Sequence, residues 1–168
     1  GGHATIAADV LSERNLQIAA LSDATKVCLS AVLPSSATVA NPVDVAGGTD
    51  SNPALFAECA AILMADPGVD ALLITGLFGG YGVRFSHTLI EVELETSRRV
   101  ASLCTEFGKP VVVHSLYASL SADLRPRPLS AIRELGVPVY ESLELSVRCL
   151  EALADWGEVR RRPNLGSN

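Results

Sequence analysis

Asn41, Asp44, Gly47 and Gly48 fall within one run of eight residues, Asn41-Pro42-Val43-Asp44-Val45-Ala46-Gly47-Gly48. Pro42 fixes its own φ and biases Asn41 towards an extended conformation. Asp44 is a carboxylate suited to accepting backbone N–H groups in a turn. Gly47-Gly48 lets the backbone approach a ligand without side-chain hindrance. Thr49-Asp50-Ser51-Asn52 then supplies several N-cap candidates for a helix. A loop of this kind leading into a helix N-terminus can bind an anion or carboxylate. The same residues also make an ordinary surface turn between two elements.

Two other glycine clusters have similar potential. Gly1-Gly2-His3 precedes a helix expected over Ala4 to Glu13, with Ile6, Val10 and Leu11 as its apolar positions. Such a phosphate-approach turn normally follows a strand. Phe78-Gly79-Gly80-Tyr81-Gly82 follows a strand directly. Ligands of open α/β sheets bind at that edge, although a tight turn has the same composition. His114 ends an apolar strand and reads as a hydrogen-bonded structural histidine. No Ser-His-Asp arrangement follows from spacing. Cys28, Cys59, Cys104 and Cys149 form no C-x-x-C pair and read as buried, reduced thiols of a cytosolic protein. Clustered zinc ligands are absent from the sequence.

The elements that position these residues alternate. A short apolar strand is expected over Leu16 to Leu21. Ser22-Asp23 caps a helix over Ala24 to Leu33, which Pro34 stops. Ser35 to Val39 is a loop. A helix is expected over Ser51 to Ala65, with Leu55, Phe56, Cys59, Ile62 and Leu63 inward and Pro53 in its first turn. Asp66-Pro67-Gly68 breaks it. Val69 to Leu77 reads as a central strand, apolar on both faces. Ser86 caps a helix to Phe107, stopped at Gly108. Val111 to His114 is a buried strand. Ala118 to Pro128 is irregular, and Leu129 to Leu135 a short helix. Val137 to Tyr140 is an edge strand because of Pro138. Ser142 to Trp156 closes the domain, with Leu145, Cys149, Leu150 and Leu153 inward. The expected fold class is α/β: a three-layer parallel sheet covered by helices on both faces. Restoring one strand before Gly1 would complete a five-stranded flavodoxin-like sheet.

A chain of 168 residues suits one such domain, over residues 1–157, with 158–168 as linker or tail. Hydrophobic residues at 48% and charged residues at 19% give a globular composition. A net charge of −6 argues against nucleic acid as a partner, and Arg160-Arg161-Arg162 is too short a basic run to reverse that. No apolar run is long enough to span a membrane, and no segment reads as a signal peptide. The expected location is the cytoplasm.

Four stretches in this order carry a family likeness: Gly1-Gly2-His3-Ala4-Thr5-Ile6-Ala7-Ala8-Asp9, Asn41-Pro42-Val43-Asp44, Asp66-Pro67-Gly68-Val69-Asp70 and Gly136-Val137-Pro138-Val139-Tyr140. Together they resemble the NDP-forming acyl-CoA synthetases, of the ADP-forming acetyl-CoA synthetase type, in the superfamily of succinyl-CoA synthetase. Asn41 to Gly48 looks like the Asn-x-x-Asp-x-Gly-Gly-Gly stretch of the succinyl-CoA synthetase β-subunit. Phe78-Gly79-Gly80 resembles a loop of the same subunit. The likeness covers residues 1–157.

The resemblance implies the flavodoxin-like ligase domain of a larger enzyme. That enzyme joins a carboxylic acid to CoA with ATP or GTP, through an acyl phosphate and a phosphohistidine. Partner domains would bind CoA, carry the histidine and supply an ATP-grasp fold, in the same chain or complex. Trp156 to Pro163 looks like the linker towards the last of these. CoA and ATP with Mg would serve the complete enzyme, and none is expected on this domain alone. Homo-oligomerisation stays open. By this likeness Gly1, Gly2, His3 and Ala4 would present a helix N-terminus to the phosphohistidine. Asn41, Asp44, Gly47 and Gly48, with Gly79 and Gly80, would border the acyl or carboxylate group. No catalytic residue is assigned to this domain.

The chain departs from the family at His3, where members often carry Pro or a small residue. His3 either donates to phosphate or is an exposed first-turn residue. Ser86-His87-Thr88 superficially resembles the family's phosphohistidine motif. Its glycine is absent and a helix follows at once, so His87 reads as helix N-terminal surface. Two other functions stay open: a non-catalytic regulatory or acyl-CoA-sensing module, as in regions fused to protein acetyltransferases, and a free-standing flavodoxin-like protein. The latter lacks the Ser/Thr-rich phosphate loop after a first strand.

Overall fold

A computed structural model describes residues 2–161, apart from residues 15, 120 and 122. The chain forms seven α-helices and three β-strands among these residues. They are α1 (Gly2–Glu13), α2 (Asp23–Val32), α3 (Leu55–Ala65), β1 (Leu72–Ile74), α4 (Tyr81–Arg84), α5 (Ile90–Phe107), β2 (Val111–His114), α6 (Arg127–Glu134), β3 (Val139–Tyr140) and α7 (Leu143–Arg161). The strands are parallel in the order β1-β2-β3. Leu72, Leu73 and Ile74 stand opposite Val111, Val112 and Val113, and Val113 and His114 opposite Val139 and Tyr140. The fold is therefore a three-layer α/β sandwich.

Side-chain alternation along β2 sends Val111 and Val113 to one face and Val112 and His114 to the other. On the first face α3, α5 and α6 pack side by side. Met64, Val100, Leu103, Leu129 and Ile132 are fully or almost fully buried there. Fully burying each such side chain contributes about 1.5–3 kcal/mol. The second face is covered by α7, against which α1 packs. Arg14 ties the end of α1 to Glu144 and Glu151 of α7, at 3.3 Å each. Local signals set the helix ends. Ser22 accepts from Thr25 N at the start of α2, and Gly108, at φ 65°, ends α5. The Asp66 carboxylate accepts from Ser22 N, Thr25 Oγ1 and Gly68 N, joining the starts of α2 and β1 to the end of α3. Lys109 donates to the Met64 and Asp66 carbonyls at 2.8 Å, satisfying acceptors at the end of α3.

Several expectations are corrected. Leu16 to Leu21 forms no strand, because none of the strands among the described residues pairs with it. The strand read over Val69 to Leu77 is confined to Leu72–Ile74 and lies at an edge of the described sheet, with β2 central. Helix α3 starts at Leu55 rather than Ser51. Gly48–Asp50 forms a separate 3₁₀ turn, and no side chain caps α3. Thr49, expected as a cap, instead bonds to Tyr81. Leu145 is half exposed, while Ser146, Val147 and Leu150 form the buried stripe of α7. Cys28 is exposed, on the outer face of α2. Helix α7 runs to Arg161, past the expected linker boundary. Residues 162–168 and Gly1 lie outside the described residues.

Candidate functional site

The carboxyl ends of the strands gather most of the residues singled out from the sequence. Thr75 and Gly76 follow β1, and His114 ends β2. Thr75 Oγ1 and His114 Nδ1 are 2.7 Å apart. The His3 ring lies over His114 with centroids 5.9 Å apart, which puts the start of α1 at this edge. His114 is buried, and that burial, followed by its neighbour His3, lowers its pKa. Which of the two atoms donates in the Thr75–His114 bond is set by the imidazole tautomer.

A cleft of about 1230 Å³ opens here. Gly2, His3 and Ala4 line it, and so do Asn41, Asp44 and Gly47. The structure thus brings together two groups of residues that lie some forty positions apart in sequence. Asn41 Nδ2 donates to the Ala19 carbonyl, anchoring the loop to the 16–20 segment. Asp44 N and O pair with Thr38 O and N at 3.0 Å each, closing a small antiparallel bridge. Asp44 Oδ1 accepts from Ala46 N at 3.1 Å. That bond holds the turn in which Ala46 (φ 47°) and Gly47 (φ 74°) adopt left-handed conformations. Helix α1 has no acidic residue of its own in its first turn. Space beside Gly2 is open: a Cβ built there meets nothing within 4 Å.

The other predicted residues are placed differently. A Cβ on Gly48 would press on Pro34 and Leu55. One on Gly79 would stand 2.5 Å from Leu129 Cδ2, and one on Gly80 would collide with the Tyr117 ring. These three glycines pack against side chains and do not line the cleft. Gly79 and Gly80 let the loop after β1 lie flat on the core, and Gly48 lets the 41–50 loop pack against Pro34 and Leu55.

That loop is fixed by a buried polar network that the sequence did not signal. Thr49 Oγ1 and Tyr81 Oη are 2.7 Å apart, and both residues are buried. Glu93 of α5 is buried and accepts from Tyr81 N and Gly82 N at 2.8 Å each. Burial raises the Glu93 pKa, against the two N–H bonds that oppose the rise. Burial also raises that of Tyr81. Glu93 caps α4 from a different helix, a contact with no local sequence signature. His87 is exposed in the 3₁₀ turn before α5. Among the described residues, no three His, Cys, Asp or Glu side chains gather to hold a metal. No helix among them is long and apolar enough to cross a membrane.

No protein-family model matches the chain. A trans-feruloyl-CoA synthase, FCS1, from an unknown prokaryotic organism is 23% identical over 153 residues, which is 89% of this chain and 20% of that protein. The crystal structure of PH0766 from Pyrococcus horikoshii OT3 superposes with a TM-score of 0.75 at 25% identity, over 94% of this chain and 34% of its own. The dinucleotide-forming acetyl-coenzyme A synthetase 1 of Ca. Korarchaeum cryptofilum, in its apo form, gives a TM-score of 0.69 at 17% identity, over 95% and 32%. The chain therefore spans a fifth of the curated relative and about a third of the two solved chains. In sequence the chain is similar to a stretch of a trans-feruloyl-CoA synthase, and in fold to about a third of PH0766 and of a dinucleotide-forming acetyl-coenzyme A synthetase.

Proposed function

We propose that this chain is one domain of an NDP-forming acyl-CoA synthetase, and that its cleft mouth forms part of a phosphoryl and acyl-phosphate site completed by other domains. One observation carries this reading: Gly2, His3 and Ala4 of α1 share a cleft with Asn41, Asp44 and Gly47 at the carboxyl edge of the sheet. The free N–H groups of α1 and its dipole favour a phosphoryl group, each such terminus contributing up to about 2 kcal/mol in a partly buried setting. His3 adds a donor beside them. Asp44 commits Oδ1 to its own turn and so orients the loop. Asp50 also lines the cleft, and its carboxylate suits a hydroxyl or amide donor rather than a bare anion. Hence the phosphoryl group belongs at the α1 end, with the acyl group nearer the 41–47 loop. The nucleotide, its Mg and most of CoA belong to domains outside this chain.

The test is intact mass of the native gene product, before and after incubation with ATP and magnesium. The reading expects one acid-labile phosphoryl group, lost again on adding CoA and a carboxylic acid. Gly2→Val fits the open space beside the helix, so it should fold while slowing phosphoryl transfer about tenfold or more. Asp44→Ala should do the same. Unchanged rates in both variants would remove the site assignment. A native product that takes up no phosphoryl group would favour the regulatory module.

A further inference from the structure

The Thr49–Tyr81 hydroxyl pair has one donor hydrogen to spare. Both residues line the cleft, although they are only 1% and 4% exposed. Their hydroxyl oxygens lie 2.7 Å apart. Each hydroxyl carries one hydrogen, and the bond between them uses only one. Whichever oxygen donates, the other keeps its own hydrogen, and no further acceptor among the described residues takes it. Buried donors in folded proteins find an acceptor in protein, water or ligand. Both hydroxyls are held in place. Tyr81 N donates to Glu93 at 2.8 Å, and the Tyr81 ring packs against Phe56 and Phe85. Thr49 sits inside the Gly48–Asp50 3₁₀ turn, where Asp50 N donates to the Gly47 carbonyl at 3.0 Å.

The surroundings select the kind of oxygen that can accept this hydrogen. Burial raises the Tyr81 pKa, its bond to Thr49 opposes the rise, and the charges of Asp50 and Glu93 add to it. The phenol is therefore a neutral donor at pH 7. The same two carboxylates make the spot unfavourable for a carboxylate or phosphoryl oxygen. Asp50 follows Thr49 in the turn and lines the cleft, with Oδ2 3.5 Å from a Cβ built on Gly47. No hydrogen bond from the described residues reaches the Asp50 carboxylate. A hydroxyl oxygen suits both partners, because it accepts from the pair and donates to Asp50. Val45 and Phe56 line the cleft alongside and offer apolar surface to a carbon skeleton.

We propose that Thr49, Tyr81 and Asp50 form a subsite for a hydroxyl group, and that the acid joined to CoA is a hydroxy acid, aliphatic or phenolic. The inference rests on the ligase reading and refines its acyl end. The carboxyl group of the acid lies towards α1, where the phosphoryl group belongs, and the hydroxyl on its carbon skeleton reaches the 49–50 turn. An acid without that hydroxyl leaves a buried donor and a carboxylate unpaired. Sites built to hydrogen-bond a substrate hydroxyl reject the analogue lacking it far more strongly than an apolar pocket rejects a missing methylene.

The test uses the native gene product, charged with its phosphoryl group by ATP and magnesium and discharged by CoA with matched acids. The pairs are lactate against propionate, para-hydroxybenzoate against benzoate, and para-coumarate against cinnamate. In at least one pair, kcat/KM for the hydroxyl-bearing acid is expected to exceed that of its partner about a hundredfold. Asp50→Ala, and separately Thr49→Val combined with Tyr81→Phe, should bring that ratio close to one, chiefly by raising KM for the hydroxyl-bearing acid. The ratio is taken within one preparation, so any loss of folded protein cancels. Equal kcat/KM in all three pairs, a ratio that neither variant moves, or a charged protein that no hydroxyl-bearing acid discharges would overturn the subsite and leave the ligase reading standing. A protein that takes up no phosphoryl group from ATP would remove the ligase reading and this inference with it.

Discussion

The Thr49–Tyr81 hydrogen bond joins the candidate loop at residues 41–50 to the turn after β1, and its strength can be measured directly. The two oxygens are 2.7 Å apart, and Thr49 and Tyr81 are 1% and 4% exposed. Thr49→Val preserves side-chain shape and leaves the Tyr81 hydroxyl buried without its partner, at a cost of about 1–3 kcal/mol. Tyr81→Phe orphans the Thr49 hydroxyl with a similar cost. The phenyl ring can still stack on Phe85 at 5.6 Å and lean on Phe56 at 5.9 Å. The double variant removes both polar groups together and should lose only about 0.5–1.5 kcal/mol, the net worth of one hydrogen bond. The singles therefore sum to roughly 4 kcal/mol while the pair costs about 1, a coupling of about 3 kcal/mol, at the upper end of contacting pairs. Urea unfolding reads this out. With a slope near 2 kcal/mol/M, each single variant lowers the midpoint by about 1 M and the double by about half that. Additive losses would refute the bond as a link between the two loops. The double variant also tests function, since it frees the loop without touching Gly2 or Asp44.

Three further outcomes follow from particular contacts. Asp66 accepts three hydrogen bonds, from the Thr25 hydroxyl first and then from Ser22 N and Gly68 N, and these hold its pKa well below the usual 3.8. A depressed carboxylate stabilises the fold above its unfolded pKa and loses that contribution as pH falls. Asp66→Asn should therefore be less stable at pH 7 and show a flatter decline below about pH 4, measured by thermal unfolding across pH. Gly80→Ala drives a methyl group into the Tyr117 ring and should cost about 1–3 kcal/mol, with Tyr117→Ala in the same molecule recovering part of the loss. Cys28 is exposed, whereas burial and then the neighbouring Glu58 push the Cys59 thiol up to about 11. Alkylation should mark Cys28 quickly at neutral pH and Cys59 only on unfolding; equal rates would contradict the packing of α3.

What the sequence made legible was mainly local. Val111 to His114 is apolar and bounded by Pro110, and it forms a strand at those residues. Ser22 and Gly108 mark the ends of helices because a hydroxyl acceptor and a left-handed backbone are local requirements. Features that depend on a neighbour were not legible. Leu16 to Leu21 has strand composition, but a strand exists only with a hydrogen-bonded partner. Thr49 was a plausible cap until Tyr81, thirty-two residues on, took its hydroxyl. Glu93 carries no local signal, because the N–H groups it accepts belong to α4. Gly79 and Gly80 were legible as a glycine-rich loop at the end of a strand. Their reason, the Leu129 and Tyr117 side chains, lay beyond the reach of spacing. The Gly2–Ala4 and Asn41–Gly47 groups were each visible as motifs, yet only the folded chain brings them to one cleft.

A phosphoryl group held at α1 needs the helix start fixed against Thr75 and the 41–47 loop to within a fraction of an ångström. Helix α1 packs against α7, and Arg14 beyond its end pairs with Glu144 and Glu151 of that helix, each exposed pair worth about 1 kcal/mol or less. Small as they are, these pairs act on position more than on stability. Arg14→Ala should therefore leave the domain folded and weaken anion binding at the start of α1. Phosphate titration followed by the His3 imidazole resonances would show this: a shift in the parent protein, and a weaker one in the variant. An equal affinity in both would mean that apolar packing on α7 alone positions the helix.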